Sequence, residues 1–483
     1  MASTTFPTNF VFGTATAAYQ IEGGWSDGEK GWSIWDAFCH TQGRVSQGDT
    51  GDVACDHYHR FKEDVELMKE LGYKNYRFSI SWPRIQPTGR GEPNEEGMAF
   101  YDRLINCCLA NGITPMVTLY HWDLPLALQI EHGGWACSGN ETTDAFLECA
   151  KLCFQRFGDR VKNWLTFNEP WCSAVLGYGN GEHAPGARSP DGSKVYRAGH
   201  NILLAHARAV ALYRADFAPE QQGSVGIALN CNWTAPKPTD DAQVFERNVQ
   251  AAERAVLWNL GWMADPLYFG DYPQVMRERC GERLPTFTED EKALLRGSAD
   301  FFALNHYSTD YAEEEGSCGD GGHFVSHWGT VNKGGFWGDL AVRGSVDPSW
   351  EKTDMGWPIV PWGFKKLLLW IQARYNPPGG IFITENGAAA PEPTKAEALE
   401  DTMRVSYLEG YMAAMHEAME EGADVRGYFS WSFMDNFEWA LGYSKRFGLV
   451  HVDYDTLERT PKASAKWLAG VIQRNQLPLP SAP

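Results

Sequence analysis

Two glutamates stand out for their surroundings: Glu169 in Thr166-Phe167-Asn168-Glu169-Pro170 and Glu385 in Ile383-Thr384-Glu385-Asn386-Gly387. Each follows an apolar, strand-like run, Val161 to Leu165 in the first case and Gly380 to Phe382 in the second. A lone carboxylate at a strand end is ordinarily just solvated. A sheltered pair has a chemical use. Cleaving an acetal between sugars takes one carboxyl group to protonate the leaving oxygen and another to attack or stabilise the oxocarbenium-like centre.

The chain must fold so that these two strand ends meet. Eight apolar, β-branched-rich runs recur along it: Phe10 to Thr16, Tyr73 to Ile80, Thr114 to His121, Val161 to Glu169, Ser224 to Asn230, Phe301 to Tyr307, Ile381 to Glu385 and Val425 to Phe433. Helical periodicity separates most of them, as in Phe61 to Leu71, where positions 61, 65, 68 and 71 are apolar. Tyr101 to Ala110, Thr143 to Phe157, Ser193 to Phe217 and Asp401 to Glu421 read the same way, the last stopping at Gly422. Alternating strands and helices with near-continuous apolar strands predict one (β/α)8 barrel, an α/β fold, over residues 1–483 as a single catalytic domain. The Gly-, Asp- and Ser-rich stretch Glu313 to Asp354, with Trp328, Trp337 and Trp350, reads as a long loop over the barrel mouth.

In such a barrel, catalytic groups collect at the carboxyl ends of the strands. Those ends carry Gln20 just after the first run, Arg77 on the second, His121-Trp122 on the third, and Asn168-Glu169 on the fourth. They continue with Asn230, Asn305-His306-Tyr307, Glu385-Asn386 and Trp431, followed by Glu438-Trp439. Amides, imidazoles, carboxylates and indoles are the groups that bond hydroxyls and stack on sugar faces.

Composition narrows the partners. With 42 Lys plus Arg against 62 Asp plus Glu, the net charge of −20 repels nucleic acid and anionic membranes, leaving a small-molecule substrate. Twenty Trp, 19 Tyr and 25 Phe supply rings with polar tips in quantity. The amino terminus has no basic segment leading into an apolar run, and a cytoplasmic location is expected. Eleven scattered cysteines fit reduced, buried thiols better than a disulfide framework. His57-Tyr58-His59 and Cys107-Cys108 match no zinc spacing, and no phosphate loop or dinucleotide fingerprint occurs, so neither metal nor cofactor is expected. Monomer and homo-oligomer stay equally open.

The motifs Phe12 to Gly23, Tyr76 to Trp82, His121 to Pro125, Thr166 to Pro170, Thr384 to Gly387 and Asp435 to Trp439 carry a family signature. On these the chain resembles the family 1 glycoside hydrolases over essentially its whole length, in particular intracellular fungal-type β-glucosidases. The resemblance implies a retaining mechanism with Glu169 as general acid/base and Glu385 as nucleophile, supported by Arg77 and Tyr307. The expected carboxyl separation is then about 5–5.5 Å. It implies substrate contacts from Gln20, His121, Trp122, Asn168, Asn305, Tyr307, Trp431, Glu438, Trp439 and Phe447. Trp171, Cys172, Leu176, Asn230 and Trp233 would line the aglycone entrance, with Trp328 and Trp337 at its rim. Trp171 and Leu176 occupy positions that narrow the entrance in relatives that resist glucose inhibition, so glucose tolerance is expected too.

Glu438-Trp439 would repel a sugar phosphate, and a glutamate at 169 where thioglucosidases carry glutamine favours oxygen glycosides. The implied substrates are cellobiose, short β-glucans and aryl β-glucosides, with β-galactosides and β-fucosides as further candidates. A sugar-binding protein without turnover and a predominantly transglycosylating enzyme are the alternatives.

Overall fold

The computed structural model describes residues 4–314 and 335–478, with the backbone of residues 325–326 and 329–330. Eight parallel strands close into a barrel: β1 (Val11–Ala15), β2 (Asn75–Ser79), β3 (Thr114–Tyr120), β4 (Asn163–Asn168), β5 (Ser224–Asn230), β6 (Phe302–Asn305), β7 (Ile381–Asn386) and β8 (Val425–Trp431). Neighbours in space are neighbours in sequence, and β1 pairs with β8 in parallel from Val11 opposite Gly427 to Ala15 opposite Trp431. This is the (β/α)8 architecture that the alternating pattern predicts.

All eight expected runs are strands, most of them shorter than the apolar run by one or more residues at an end. The trimming falls at both ends, and at the carboxyl ends it leaves residues such as His121, Glu169 and Tyr307 just beyond the ladder. Glu169 has a left-handed backbone (φ 46°) and cannot continue a ladder, although its N–H still donates to Ala228 O. The helix expected over residues 193–217 runs as Ser193–Leu212 and then widens into a π-type turn, Tyr213–Phe217, ahead of Pro219.

Burial accounts for most of the cysteines and aromatics. In the helix Glu141–Phe157 the inward face is Ala145, Phe146, Cys149, Ala150, Cys153, Phe154 and Phe157, a helical spacing in which the thiols act as small hydrophobes. Trp35, Trp82, Trp135, Trp164, Trp258 and Trp262 are fully buried. Only part of the aromatic surplus is therefore available to a ligand.

The stretch expected as a loop over the barrel mouth begins and ends in secondary structure. Thr309–Glu314 pairs antiparallel with Val342–Ser345 and parallel with Trp233–Pro236, forming a side sheet outside the barrel. Trp337 is buried in the helix Gly335–Leu340, while Trp328 lies outside the described residues. No helix among the described residues is long and apolar enough to cross a membrane.

One glycine sets the spacing of the strands that carry the site. A Cβ on Gly387, immediately after β7, would lie 1.7 Å from the carbonyl oxygen of Trp431 at the end of β8. Backbone cannot yield as a flexible side chain can. Gly387→Ala should lower the unfolding free energy by about 3 kcal/mol, the upper part of the overpacking range, with an activity loss from displaced Glu385. Urea denaturation checks this, and an unchanged midpoint would mean that the β7 exit has room to move.

Candidate active site

Both glutamates stand at breaks in the ladder. The pairing of β4 with β5 shifts register between Leu165 and Asn168, and that of β7 with β6 between Ile383 and Glu385. Such irregularities re-aim side chains that a regular pleat would alternate between core and exterior. Glu169, Trp122 and Trp439 also have left-handed backbones (φ 46°, 78° and 49°), each a strain of order 1–3 kcal/mol for a residue with a Cβ.

Arg77, on β2, connects the two ends. Its Nη1 donates to Glu385 Oε1 (2.7 Å) and Thr384 O (2.9 Å), its Nη2 to Asn168 Oδ1 (2.6 Å), and its Nε to Thr118 Oγ1 (3.2 Å). The guanidinium is buried, so it depends on these partners for charge and hydrogen bonds. Tyr307 donates its hydroxyl to the other oxygen of Glu385, Oε2, at 2.6 Å. Glu385 is thus held at both oxygens.

Glu169 has different company. Asn305 Nδ2 donates to its Oε1 (2.8 Å), and Cys172 Sγ lies 3.1 Å from Oε2. The Asn305 amide is oriented by Thr384, whose hydroxyl donates to Oδ1 (2.7 Å), so the group facing Glu169 is an N–H that can only donate. Oε1 must accept, and Oε2 is left as the oxygen that can carry a proton.

Electrostatics separates the two carboxyls. Burial raises Glu169, the charge of Glu385 raises it further, and Asn305, Cys172 and Arg77 offset only part, leaving it at about 7. Burial also leaves Glu385 above the usual carboxylate range, although there Arg77, Tyr307 and Asn305 all favour the ionised form. Of the pair, Glu385 has the cation that favours ionisation and Glu169 the neighbouring charge that favours a proton. Glu438 is raised by burial and then by the Glu385 charge, against a hydrogen bond from Gln20.

The amide of Asn168 fixes a tautomer. Its Oδ1 accepts from Arg77 and from Asn305 Nδ2 (3.0 Å), so its Nδ2 faces His121 Nε2 at 2.9 Å. His121 is buried and held neutral by that burial and by Arg77. Its Nε2 accepts, its Nδ1 therefore carries the hydrogen, and that atom has no partner in the protein. Gln20 is similar. Its Nε2 donates to Asn436 Oδ1 (2.9 Å), Phe437 O (2.9 Å) and Glu438 Oε2 (3.3 Å), while its Oε1 is unpartnered. A buried donor and a buried acceptor without protein partners are what a hydroxylated ligand would satisfy.

His121, Asn168, Glu169, Glu385 and Glu438 face a cavity of about 430 Å³, within the range of small-molecule sites. Its walls include His121, Trp122, Asn168, Glu169, Tyr307, Glu385, Trp431, Glu438, Trp439 and Phe447, all expected from the sequence. Arg77 and Asn305 stand behind them, bonded to wall residues, and Gln20 stands behind Glu438. The outer wall adds Asp354, the last residue of the stretch expected over the mouth, together with residues the sequence did not mark: Glu182, His183, Met355, Trp357 and Lys445 from loops, and Ala440 and Leu441 from the short 3-10 turn Trp439–Leu441. Asp354 and Lys445 join two of these loops through a 2.8 Å ion pair.

The five residues expected at the entrance are not among the cavity walls. Trp171 and Leu176 are buried, Trp171 with its ring 5.8 Å from that of Trp337 and nearly perpendicular to it. Both follow Glu169 in the helical segment that begins at Pro170. Cys172 bears on Glu169, Asn230 ends β5, and Trp233 begins the side-sheet strand.

Residues 2–477 match the family profile described as Glycosyl hydrolase family 1. The chain is 47% identical over 479 residues to "Beta-glucosidase 4" of Oryza sativa subsp. japonica, covering 96% of this chain and 94% of the relative. It is 44% identical over 475 residues to "Beta-glucosidase A" of Thermotoga maritima, with 98% of each covered. Among solved structures, a mutant rice β-glucosidase in a covalent complex with Glc superposes with a TM-score of 0.89 at 41% identity, covering 96% of this chain and 98% of that one.

Arg77 is the group on which the charge of Glu385 depends. Arg77→Met should lower the unfolding free energy by about 3–5 kcal/mol at neutral pH, the cost of a buried charge left without its partner. The deficit should shrink as pH falls, because protonation relieves the stranded carboxylate. Denaturation curves at several pH values check both, and a loss that grows toward acid would contradict the assignment.

Proposed function

This chain belongs to glycosyl hydrolase family 1 and is a retaining β-glucosidase, and we propose that Glu385 is its nucleophile and Glu169 its general acid/base. The carrying observation is the unequal contact set: a guanidinium and a phenol on Glu385, an amide and a thiol on Glu169. In the first step Glu385 attacks the anomeric carbon while Glu169 passes its proton from Oε2 to the leaving oxygen. The product is a glucosyl ester on Glu385. Esterification removes the negative charge that helped raise Glu169, so Glu169 becomes a stronger acid and its carboxylate can take a proton from the attacking water. Two inversions give net retention.

The glucose ring is read by the unpartnered groups. His121 Nδ1–H offers a donor, Gln20 Oε1 an acceptor, and the Glu438 carboxyl bonds the hydroxyls at positions 4 and 6. Asn168 has one Nδ2 hydrogen left for the 2-hydroxyl, a contact that strengthens in the transition state. Trp431, Trp439 and Phe447 supply apolar faces. The outer wall of Trp357, Met355, Leu441, Glu182 and His183 takes the aglycone.

Cellobiose, short β-glucans and aryl β-glucosides are the substrates this arrangement favours, with the whole chain acting as one catalytic unit. The intracellular, fungal-type branch that the motifs resemble is the narrower part of the proposal. The ten described cysteines, all free thiols, support a reducing compartment.

Glu385→Gly should abolish hydrolysis of a chromogenic β-glucoside, and azide should restore turnover with α-glucosyl azide as product. In the wild type, the first sugar seen by NMR should be β-glucose. First-formed α-glucose would overturn the nucleophile assignment, and no turnover at all would favour a binding protein.

The pH profile follows from the same assignment. The proton on Glu169 is required for the first step, so kcat/KM should fall as pH rises through about 7. Glu169→Gln should remove that alkaline limb and cost about 10²–10⁴-fold in kcat on substrates with poor leaving groups. A limb that survives the substitution would assign the proton elsewhere.

A further inference from the structure

Six charged side chains form a connected group behind the glucose pocket. Asp435, fully buried, receives four donors: Lys462 Nζ (2.8 Å) and Gly448 N (2.9 Å) at Oδ1, and Arg446 Nη1 (2.8 Å) and Val452 N (3.3 Å) at Oδ2. Lys462, also fully buried, has Glu392 Oε1 as its second partner. Arg404 completes the set, donating to Glu392 Oε1 (2.9 Å), Arg446 O (2.8 Å) and Ala388 O (3.0 Å), and pairing with Asp401. Three cations, Arg404, Arg446 and Lys462, thus meet three carboxylates, Glu392, Asp401 and Asp435.

The group lies where three chain segments that build the pocket pass one another. Ala388 is three residues beyond Glu385, Arg446 precedes the wall residue Phe447, and Asp435 opens the run that carries Asn436, Glu438 and Trp439. Asn436 in turn fixes Gln20, whose amide is shared with Glu438. The fit is tight: a Cβ on Gly448 would lie 1.9 Å from the backbone nitrogen of Asp435. Burial works against the charge on Asp435, but Lys462, Arg446 and Arg404 outweigh it and hold its carboxyl below the usual range.

We infer that Lys462, just before the terminal helix Ala463–Arg474 and outside the pocket itself, is a positioning residue for glucose recognition. It acts by neutralising Asp435 and so holding the Asp435–Trp439 run in register with Gln20. A buried carboxylate that loses one of its two contacting cations would seek solvent or a proton. Either response displaces the backbone that aims Glu438. Sub-ångström aim matters at a site that reads hydroxyls.

The inference rests on Glu438 contacting the sugar's outer hydroxyls, and the experiment separates the two claims. The readout is the ratio of kcat/KM for 4-nitrophenyl β-glucoside to that for its 6-deoxy analogue, measured in the full chain. Glu438→Gln tests the contact itself and should lower the ratio. Lys462→Met should lower it roughly tenfold, mainly through the glucoside, and Lys462→Arg should recover most of it. Arg446→Gln, at a partly exposed position, should act in the same direction and serves if Lys462→Met does not fold. A ratio that drops for Glu438→Gln but holds for Lys462→Met and Arg446→Gln, whatever happens to thermal stability, overturns the positioning role alone. A ratio unmoved by Glu438→Gln overturns the contact, and the positioning role with it.

Discussion

The guanidinium of Arg77 is the constraint on which the site depends. It touches β3 through Thr118, β4 through Asn168 and β7 through Thr384 and Glu385, while itself standing on β2. A cation placed inside the barrel is tolerable only with an anion and a full set of acceptors, and these partners come from strands distant in sequence. Closing the barrel and completing the site are therefore one event. The same contacts orient Asn168, and through it the tautomer of His121, so charge placement and hydroxyl recognition share one support.

From that support comes the difference between two chemically identical side chains. Glu385 lies in contact with the cation and Glu169 two amides away, through Asn168 and Asn305, so a single positive charge favours ionisation of the first while the resulting anion helps hold a proton on the second. Neither burial nor position at a strand end would separate them, since both are buried at strand ends. The register breaks after Leu165 and Ile383 and the left-handed backbone of Glu169 are what bring the carboxyls to these different neighbours. Strain of this kind persists because the surrounding barrel over-determines it.

Much of this was legible in the sequence. Eight apolar runs separated by helical periodicity were enough for the barrel, because a parallel strand buried on both faces has to be apolar throughout. Residues adjoining strand ends, from Arg77 to Trp431, were legible for the same reason: a closed barrel puts all those ends on one face. The outer wall was not. Glu182, His183, Met355 and Lys445 lie in loops whose meeting point is set by tertiary packing, and no local periodicity marks them. Trp171 and Leu176 follow Glu169 in sequence and are buried beside it, a degree of packing that no local pattern indicates. Lys462 gave no signal at all, since one lysine before a helix resembles any solvated charge until its buried partners are seen.

The central claim is that the charge on Glu385 helps hold the proton on Glu169. Titrating the Glu169 carboxyl by carbon-13 NMR, first in the free enzyme and then with Glu385 esterified by a slow-turnover 2-fluoroglucoside, tests it most directly. The account predicts a pKa of about 7 in the free enzyme and a clear fall toward the ordinary carboxylate range once Glu385 is neutral. An unchanged value, or a rise, would show that burial alone sets the acidity of Glu169 and would contradict the coupling.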